Sequence, residues 1–268
     1  MTSYISDYYN YIVYEQMDQR VKAYYFMGSP VPILLLVTSY LVFVLRLGPW
    51  FMKNRPPYNV EKPMMLYNIV QMAINLYFVL VACLYVWLPG HYNWICQRPI
   101  YEPNPVEDIV VGKFYLFMCS RILDLLDTVF MVLKKNNHQI SFLHLYHHTF
   151  VATACWICVK YMPGGQPAFF GTLNAFVHVV MYFYYFLTAI DASYKKSIWW
   201  KRHITELQLA QFFILLVQQL YAILSPTCDF SKYLLAFFLS QAILMIYLFS
   251  NFYYNAYIKK QPKKTKTS

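Results

Sequence analysis

Charge is scarce in this sequence. Asp, Glu, Lys and Arg make up 13% of the 268 residues, about half the share expected of a soluble domain. Acids are fewest, at 12 against 22 Lys and Arg. The 6 cysteines follow neither zinc-ribbon spacing nor that of a small secreted scaffold. Residues 1–29 lack a basic start followed by an apolar stretch and instead contain Asp7, Glu15, Asp18, Arg20 and Lys22. No cleavable leader is expected there, so the first apolar segment would serve as its own insertion signal. What remains is apolar: 59% of the residues are hydrophobic and 20% aromatic, with a mean hydropathy of +0.36. That balance excludes an ordinary soluble enzyme and predicts a polytopic all-α membrane protein.

A helix crosses the hydrocarbon core in about 20 apolar residues. Six charge-free stretches of such length occupy 23–45, 63–97, 139–159, 161–190, 207–228 and 233–258. A seventh, 109–133, is apolar in composition but interrupted by Lys113, Arg121, Asp124 and Asp127. The expected spans are 30–47, 64–88, 110–133, 140–159, 167–190, 206–225 and 233–257, forming one membrane domain over 1–258 followed by a basic tail, 259–268. Seven spans put fifteen Lys and Arg on one side and six on the other, with Arg121 inside a helix. The positive-inside rule then makes the N-terminus lumenal and the C-terminus cytosolic. Cys96 and Cys228 are the cysteines that fall in loops, both on the oxidising side, and are expected to form a disulfide. Lys264 and Lys266 near the end of the tail resemble a cytosolic dilysine signal for retrieval to the endoplasmic reticulum.

Ionisable groups at membrane depth are costly and mark function by default. His144, His147 and His148 stand at i, i+3 and i+4, hence on one helical face. Arg121, Asp124, Asp127 and Thr128 form a second stripe. Asn174, His178, Tyr182 and Tyr185 form a third, and Thr205, Gln208 and Gln211 a fourth that continues to Gln218. Any one of the last three could be interhelical pairing. Four together suggest a site. At a rise of ~1.5 Å per residue, Asp127, His147 and Gln211 lie about 8–10 Å inside the cytosolic ends of their spans, and His178 about 18 Å inside. All could line one polar chamber in the cytosolic half of the bundle.

These motifs resemble those of the very-long-chain fatty acid elongases. His144-x-x-His147-His148 matches the family's HxxHH box, and Asn174 through Tyr185 and Thr205-x-x-Gln208-x-x-Gln211-Phe212 match two further motifs. Arg121-Ile-Leu-Asp124-Leu-Leu-Asp127-Thr128 is close to KxxExxDT, with Arg for Lys and Asp for Glu. Arg and Lys differ in geometry, so this departure bears on substrate preference and rate. The resemblance spans essentially the whole chain. It implies a membrane 3-oxoacyl-CoA synthase that condenses acyl-CoA with malonyl-CoA. It also implies His147 as the acyl acceptor and His178 as its partner, with His144 and His148 orienting the site and stabilising charge. Asp124 or Asp127 would fix a histidine tautomer, and Asn174, Gln208 and Gln211 would donate to the developing oxyanion. Arg121 and Tyr182 are further candidates for substrate binding. Lys134, Lys135, Lys195, Lys196, Lys201 and Arg202 would hold the CoA phosphates, although positive-inside topology alone accounts for them. Acyl-CoA and malonyl-CoA are the implied substrates, with the bilayer, other elongation-cycle enzymes and a second copy of the chain as partners. No metal, other cofactor or nucleic acid is implied.

Two rival readings follow from the same residues. A membrane di-iron desaturase or hydroxylase also carries histidine boxes. However, only 7 histidines occur here, and no second HxxH box does. A seven-span receptor or transporter is disfavoured because the polar chamber would open toward the cytosol, no N-x-Ser/Thr site exists, and no pair of matching interrupted helices is visible.

Overall fold

The computed structural model describes residues 2–259, which fold as helices and connecting turns without a strand. The chain order is α1 (Thr2–Asn10), α2 (Val31–Val42), α3 (Gly48–Met52), α4 (Glu61–Ala82), α5 (Pro105–Leu123), α6 (Leu125–Leu133), α7 (Phe142–Tyr161), α8 (Gln166–Ile190), α9 (Ala192–Lys196), α10 (Ile198–Leu224) and α11 (Lys232–Tyr253). Single π-turns extend α2 into α3, α4 to Trp87 and α11 to Ile258. Five of the resulting helices are long and apolar enough to cross a membrane: Val31–Met52, Glu61–Trp87, Gln166–Ile190, Ile198–Leu224 and Lys232–Ile258. The α5–α6 unit and α7 fall outside that group for a chemical reason. The first carries Glu107, Asp108, Lys113, Arg121, Asp124 and Asp127, and the second carries three histidines and Lys160.

Local chemistry sets the helix ends. Asn104 caps α5, its Oδ1 accepting from the Val106 amide at 2.9 Å, and Pro105 takes the first helical position, where no donor is needed. The Ser141 hydroxyl accepts from the His144 amide at 3.2 Å and so starts α7 directly before the histidines. Between α5 and α6 the helix tightens at Asp124, where the Asp127 amide donates to the Asp124 carbonyl at 3.2 Å. Gly165 opens α8 at φ +58°, and a Cβ there would stand 2.8 Å from the Pro99 nitrogen, so glycine is required twice over.

The helices pack so that α4 runs along α8, α10 along α11 and α5 along α7, with α10 also touching α8. Two devices close the end of the bundle where α7 finishes and α8 begins. A disulfide joins Cys96 to Cys228, with Cα atoms 5.6 Å apart, and ties the segment after α4 to the turn between α10 and α11. Gln166 pins the same segment, accepting from the Gln97 amide and donating to the Ile95 carbonyl, each at 3.0 Å. Nearby, the Tyr92 hydroxyl donates to Glu107 at 2.8 Å. Burial and then the Glu107 charge push the Tyr92 pKa well above its usual range, which keeps it a donor.

Candidate functional site

Arg121 is the hub of the polar interior. It is 1% exposed and cannot shed its charge, so every donor of its planar fork must find an acceptor. Its Nη1 donates to Asn174 Oδ1 at 3.0 Å and to His178 Nδ1 at 2.8 Å, and its Nη2 donates to Asn75 Oδ1. The same Nη1 lies 3.1 Å from Asp124 Oδ2, an ion pair with side-chain exposures of 1% and 3%. Arginine is only a donor, so His178 Nδ1 must accept. A singly protonated His178 therefore carries its proton on Nε2.

The carboxylates are held from the other side. Asp124 Oδ1 accepts from Gln71 Nε2 at 2.6 Å and from the Tyr182 hydroxyl at 3.0 Å. Tyr182 is fully buried, and its hydroxyl also lies 2.7 Å from Asp127 Oδ2, so its one proton is shared between the two carboxylates. Tyr67 completes the group, its hydroxyl 3.2 Å from that of Tyr182. Neither carboxylate hydrogen-bonds a histidine; the nearest approach is Asp124 Oδ2 to His178 Nδ1 at 3.6 Å. Arg121 is what connects them.

The three histidines of α7 differ in their surroundings. His144 Nε2 lies 2.8 Å from the Thr128 hydroxyl, which in turn meets the Tyr40 hydroxyl at 2.7 Å. His148 is buried, with its ring centroid 4.3 Å from that of His144 and 5.6 Å from that of His147. His147 is half-buried, and its Nδ1 is enclosed yet has no hydrogen-bond partner. Phe212 and Phe249 stand edge-on to its ring, each with centroids 6.4 Å away.

His147 lines one end of a cavity of about 150 Å³. Asn174 and Gln211 share that end, and Gln211 Oε1 is, like His147 Nδ1, buried without a partner. The rest of the wall is mostly apolar: Phe150, Val151, Ala154, Cys155 and Cys158 of α7 line it with Phe170 of α8 and Phe238 of α11. The arrangement is a largely apolar chamber whose polar lining is the unengaged His147 imidazole and the amides of Asn174, Gln211, Gln219 and Gln241. Chemically, it suits a long apolar chain that carries a reactive polar head.

The structure thus joins Arg121, Asp124, Asp127, Asn174, His178 and Tyr182 in one network, and it brings His147, Asn174 and Gln211 to one cavity wall. Gln208 lies off that wall, 3.8 Å from the Met181 sulfur. Lys135, Lys195, Lys196, Lys201 and Arg202 are exposed and Lys134 half-exposed, and none lines the cavity. Arg202 pairs with Glu206 at 2.9 Å. Lys264 and Lys266 lie outside the described residues. Among those described, no group of three or more His, Cys, Asp or Glu could hold a metal ion.

Sequence reasoning missed an entire face. Tyr67, Gln71 and Asn75 of α4 recur at i, i+4 and i+8 and supply the partners of Tyr182, Asp124 and Arg121. Their spacing within an apolar span was the signal. Gln219 and Gln241 also line the cavity without having been singled out.

The profile of the ELO: GNS1/SUR4 family matches residues 25–265. Human very long chain fatty acid elongase 4 is 39% identical over 249 residues, covering 93% of this chain and 78% of that protein. Very long chain fatty acid elongase 7 of Rattus norvegicus is 36% identical over 245 residues, covering 91% and 87%. Very long chain fatty acid elongase 1 of Mus musculus is 34% identical over 243 residues, covering 90% and 87%. With a family match over most of its length and five apolar helices of membrane-crossing length, the chain belongs to the ELO: GNS1/SUR4 family and is a multi-pass membrane protein.

Proposed function

We propose that the protein is an acyltransferase of fatty acid elongation, condensing a long acyl-CoA with malonyl-CoA to give 3-oxoacyl-CoA, CO₂ and free CoA. The observation that carries this reading is His147: an imidazole with an unpartnered Nδ1 at the polar end of an apolar cavity. The names of the relatives, all very long chain fatty acid elongases, support the substrate class.

The chemistry divides into two steps. A ring nitrogen of His147 attacks the thioester carbon, the C–S bond breaks, and CoA leaves as the thiol after taking up the imidazole proton. The product is an acyl-imidazole with its chain in the cavity. Malonyl-CoA then loses CO₂, and the resulting enolate carbon attacks the acyl carbon. The C–N bond breaks with its electron pair returning to the imidazole nitrogen, which takes up a proton from water to restore neutral His147, and 3-oxoacyl-CoA departs. No electrons are gained or lost overall, so the step calls for no redox cofactor. Oxygen charge develops in both steps and needs donors already in place. His178 fits that role, because Arg121 occupies its Nδ1 and leaves a proton on Nε2. Gln211 and Asn174 supply amide groups at the same end of the cavity. His144 and His148 orient the box, and Asp124 and Asp127 hold Arg121 and Tyr182 in position.

Seven spans with a lumenal N-terminus and a cytosolic C-terminus fit this reading. In that arrangement α5–α6 and α7 cross beside the five apolar helices, the polar network lies in the cytosolic half, and the cavity points to the lumenal side. Acyl-CoA then enters from the cytosol, where the exposed lysines of α9 and α10 can meet CoA phosphates. Residence in the endoplasmic reticulum membrane would follow from the dilysine tail. Other elongation-cycle enzymes and a second copy of the chain are the proposed partners.

Mass spectrometry of the purified protein incubated with acyl-CoA alone tests the first step. The expected result is an acyl adduct on the peptide containing His147, removed when malonyl-CoA is added. Turnover with no adduct at any time in rapid-quench samples would refute covalent catalysis by His147.

A further inference from the structure

The principal cavity has a neighbour of about 60 Å³, and the two share a wall. Phe114, Phe117 and Gly171 line both. Beyond the wall, the smaller cavity is lined by Phe78, Ala82 and Tyr85 and by Ile109, Lys113 and Ala168, with the Lys113 ammonium held over the Tyr77 ring at 5.3 Å from its centroid.

The depth of the principal cavity makes this wall significant. It follows α7 from His147 to Cys158, about 17 Å at ~1.5 Å per residue. An extended hydrocarbon advances about 1.3 Å per carbon, given C–C bonds of ~1.5 Å. The cavity therefore holds about a dozen carbons beyond the reactive carbonyl. An acyl group of the very long class does not end within it.

We propose that Phe114, Phe117 and Gly171 form a partition that the longer acyl chains cross, their methyl ends entering the second cavity, so that these residues set the upper limit on acceptor length. This inference rests on the elongase reading above and adds the determinant of its chain-length preference. Three features of the wall favour passage. Its aromatic members are held by ring contacts alone: Phe117 meets Phe78 edge-on with centroids 5.5 Å apart and Phe114 at 6.4 Å. Neither ring bears a hydrogen bond that rotation would break. The facing position on α8 has no side chain. A Cβ on Gly171 would sit 3.5 Å from the Phe117 ring, at ordinary contact, so alanine fits while leucine fills the gap. The wall also touches the polar network, because the Arg121 guanidinium lies over the Phe117 ring, 4.7 Å from its centroid. A chain that displaces Phe117 is thus felt at the site, which links acceptor length to turnover.

The test uses the full-length purified protein with malonyl-CoA and a ladder of saturated acyl-CoAs. Ala82→Phe narrows only the second cavity, Gly171→Leu blocks the partition, and Phe114→Ala widens it. For the first two variants, acceptors short enough to end in the principal cavity should turn over within about twofold of the parent rate. Acceptors several carbons longer should lose at least tenfold. Phe114→Ala should move the limit upward. If Gly171→Leu does not fold, Ala82→Phe and Phe114→Ala decide the matter alone. Active variants with the parent length profile would overturn the proposal while leaving the elongase reading intact. A parent protein inert toward every acyl-CoA would instead overturn the elongase reading, and this inference with it.

Discussion

Removing the Arg121 charge separates what holds the fold from what the site needs. Arg121→Met deletes the donors to Asn174, His178 and Asn75 and leaves Asp124, with 3% of its side chain exposed, as a buried carboxylate without its counter-ion. Breaking one side of such a pair costs about 3–5 kcal/mol, because the surviving charge stays desolvated. At roughly 2–4 °C per kcal/mol for a large domain, the melting temperature should fall by about 10 °C. Adding Asp124→Asn removes the orphaned charge, and replacing a buried pair by neutral groups is often close to neutral, so the double variant should regain most of that loss. Activity should not return with it. Without a donor at Nδ1, the His178 proton is free to move to the wrong nitrogen, an error that can cost about 10⁴-fold in kcat in another histidine-dependent site. Thermal unfolding in detergent gives the first quantity, and labelled malonyl-CoA incorporation at saturating acyl-CoA gives the second. Arg121→Met that is as stable as the parent, or a double variant with restored turnover, would refute the reasoning.

Further outcomes follow from single features. Reducing the Cys96–Cys228 bond, which closes a loop of 132 residues, should lower stability by about 2–5 kcal/mol. Cys96→Ser, Cys228→Ser and the double variant should then melt together, and reductant should shift only the parent. Gly165→Ala should destabilise by at least ~1–3 kcal/mol, since it places a Cβ in a left-handed conformation and against Pro99. Equal melting temperatures for Gly165→Ala and the parent would contradict that geometry. Asn75→Leu leaves Arg121 Nη2 with only the longer contact to the Ser120 hydroxyl at 3.3 Å and should reduce kcat with little change in KM, as expected of a residue that holds the site but does not meet substrate. A rise in KM alone would assign Asn75 to binding instead.

Much of the site was legible because membrane depth makes polar residues conspicuous. The three histidines, Arg121, Asp124, Asp127, Asn174, His178 and Tyr182 stand out by spacing alone, and hydrogen bonds, the Arg121–Asp124 ion pair and ring contacts hold them close together. What spacing could not show was which group holds which. A carboxylate is the usual partner of a buried histidine, yet here the His178 Nδ1 is engaged by Arg121, whose fork reaches five side chains at once. The stripe of Tyr67, Gln71 and Asn75 escaped because it carries no charge within a strongly apolar helix. Helix ends differed from hydropathy limits for a similar reason. Hydropathy marks where hydrocarbon stops, while Ser197 and Asn104 cap helices that begin at Ile198 and Pro105, turns before the apolar run. The two shared-wall cavities depend on how six helices meet, which no single-sequence pattern encodes.

The most direct test of the central claim is condensation itself: radiolabelled malonyl-CoA and a panel of acyl-CoAs added to the purified protein, with His147→Ala in parallel. Labelled 3-oxoacyl-CoA from the parent and none from His147→Ala, with that variant still folded by its melting curve, is the result this account predicts. Labelled product at the parent rate from His147→Ala, or none from the parent with any acyl-CoA, would contradict it.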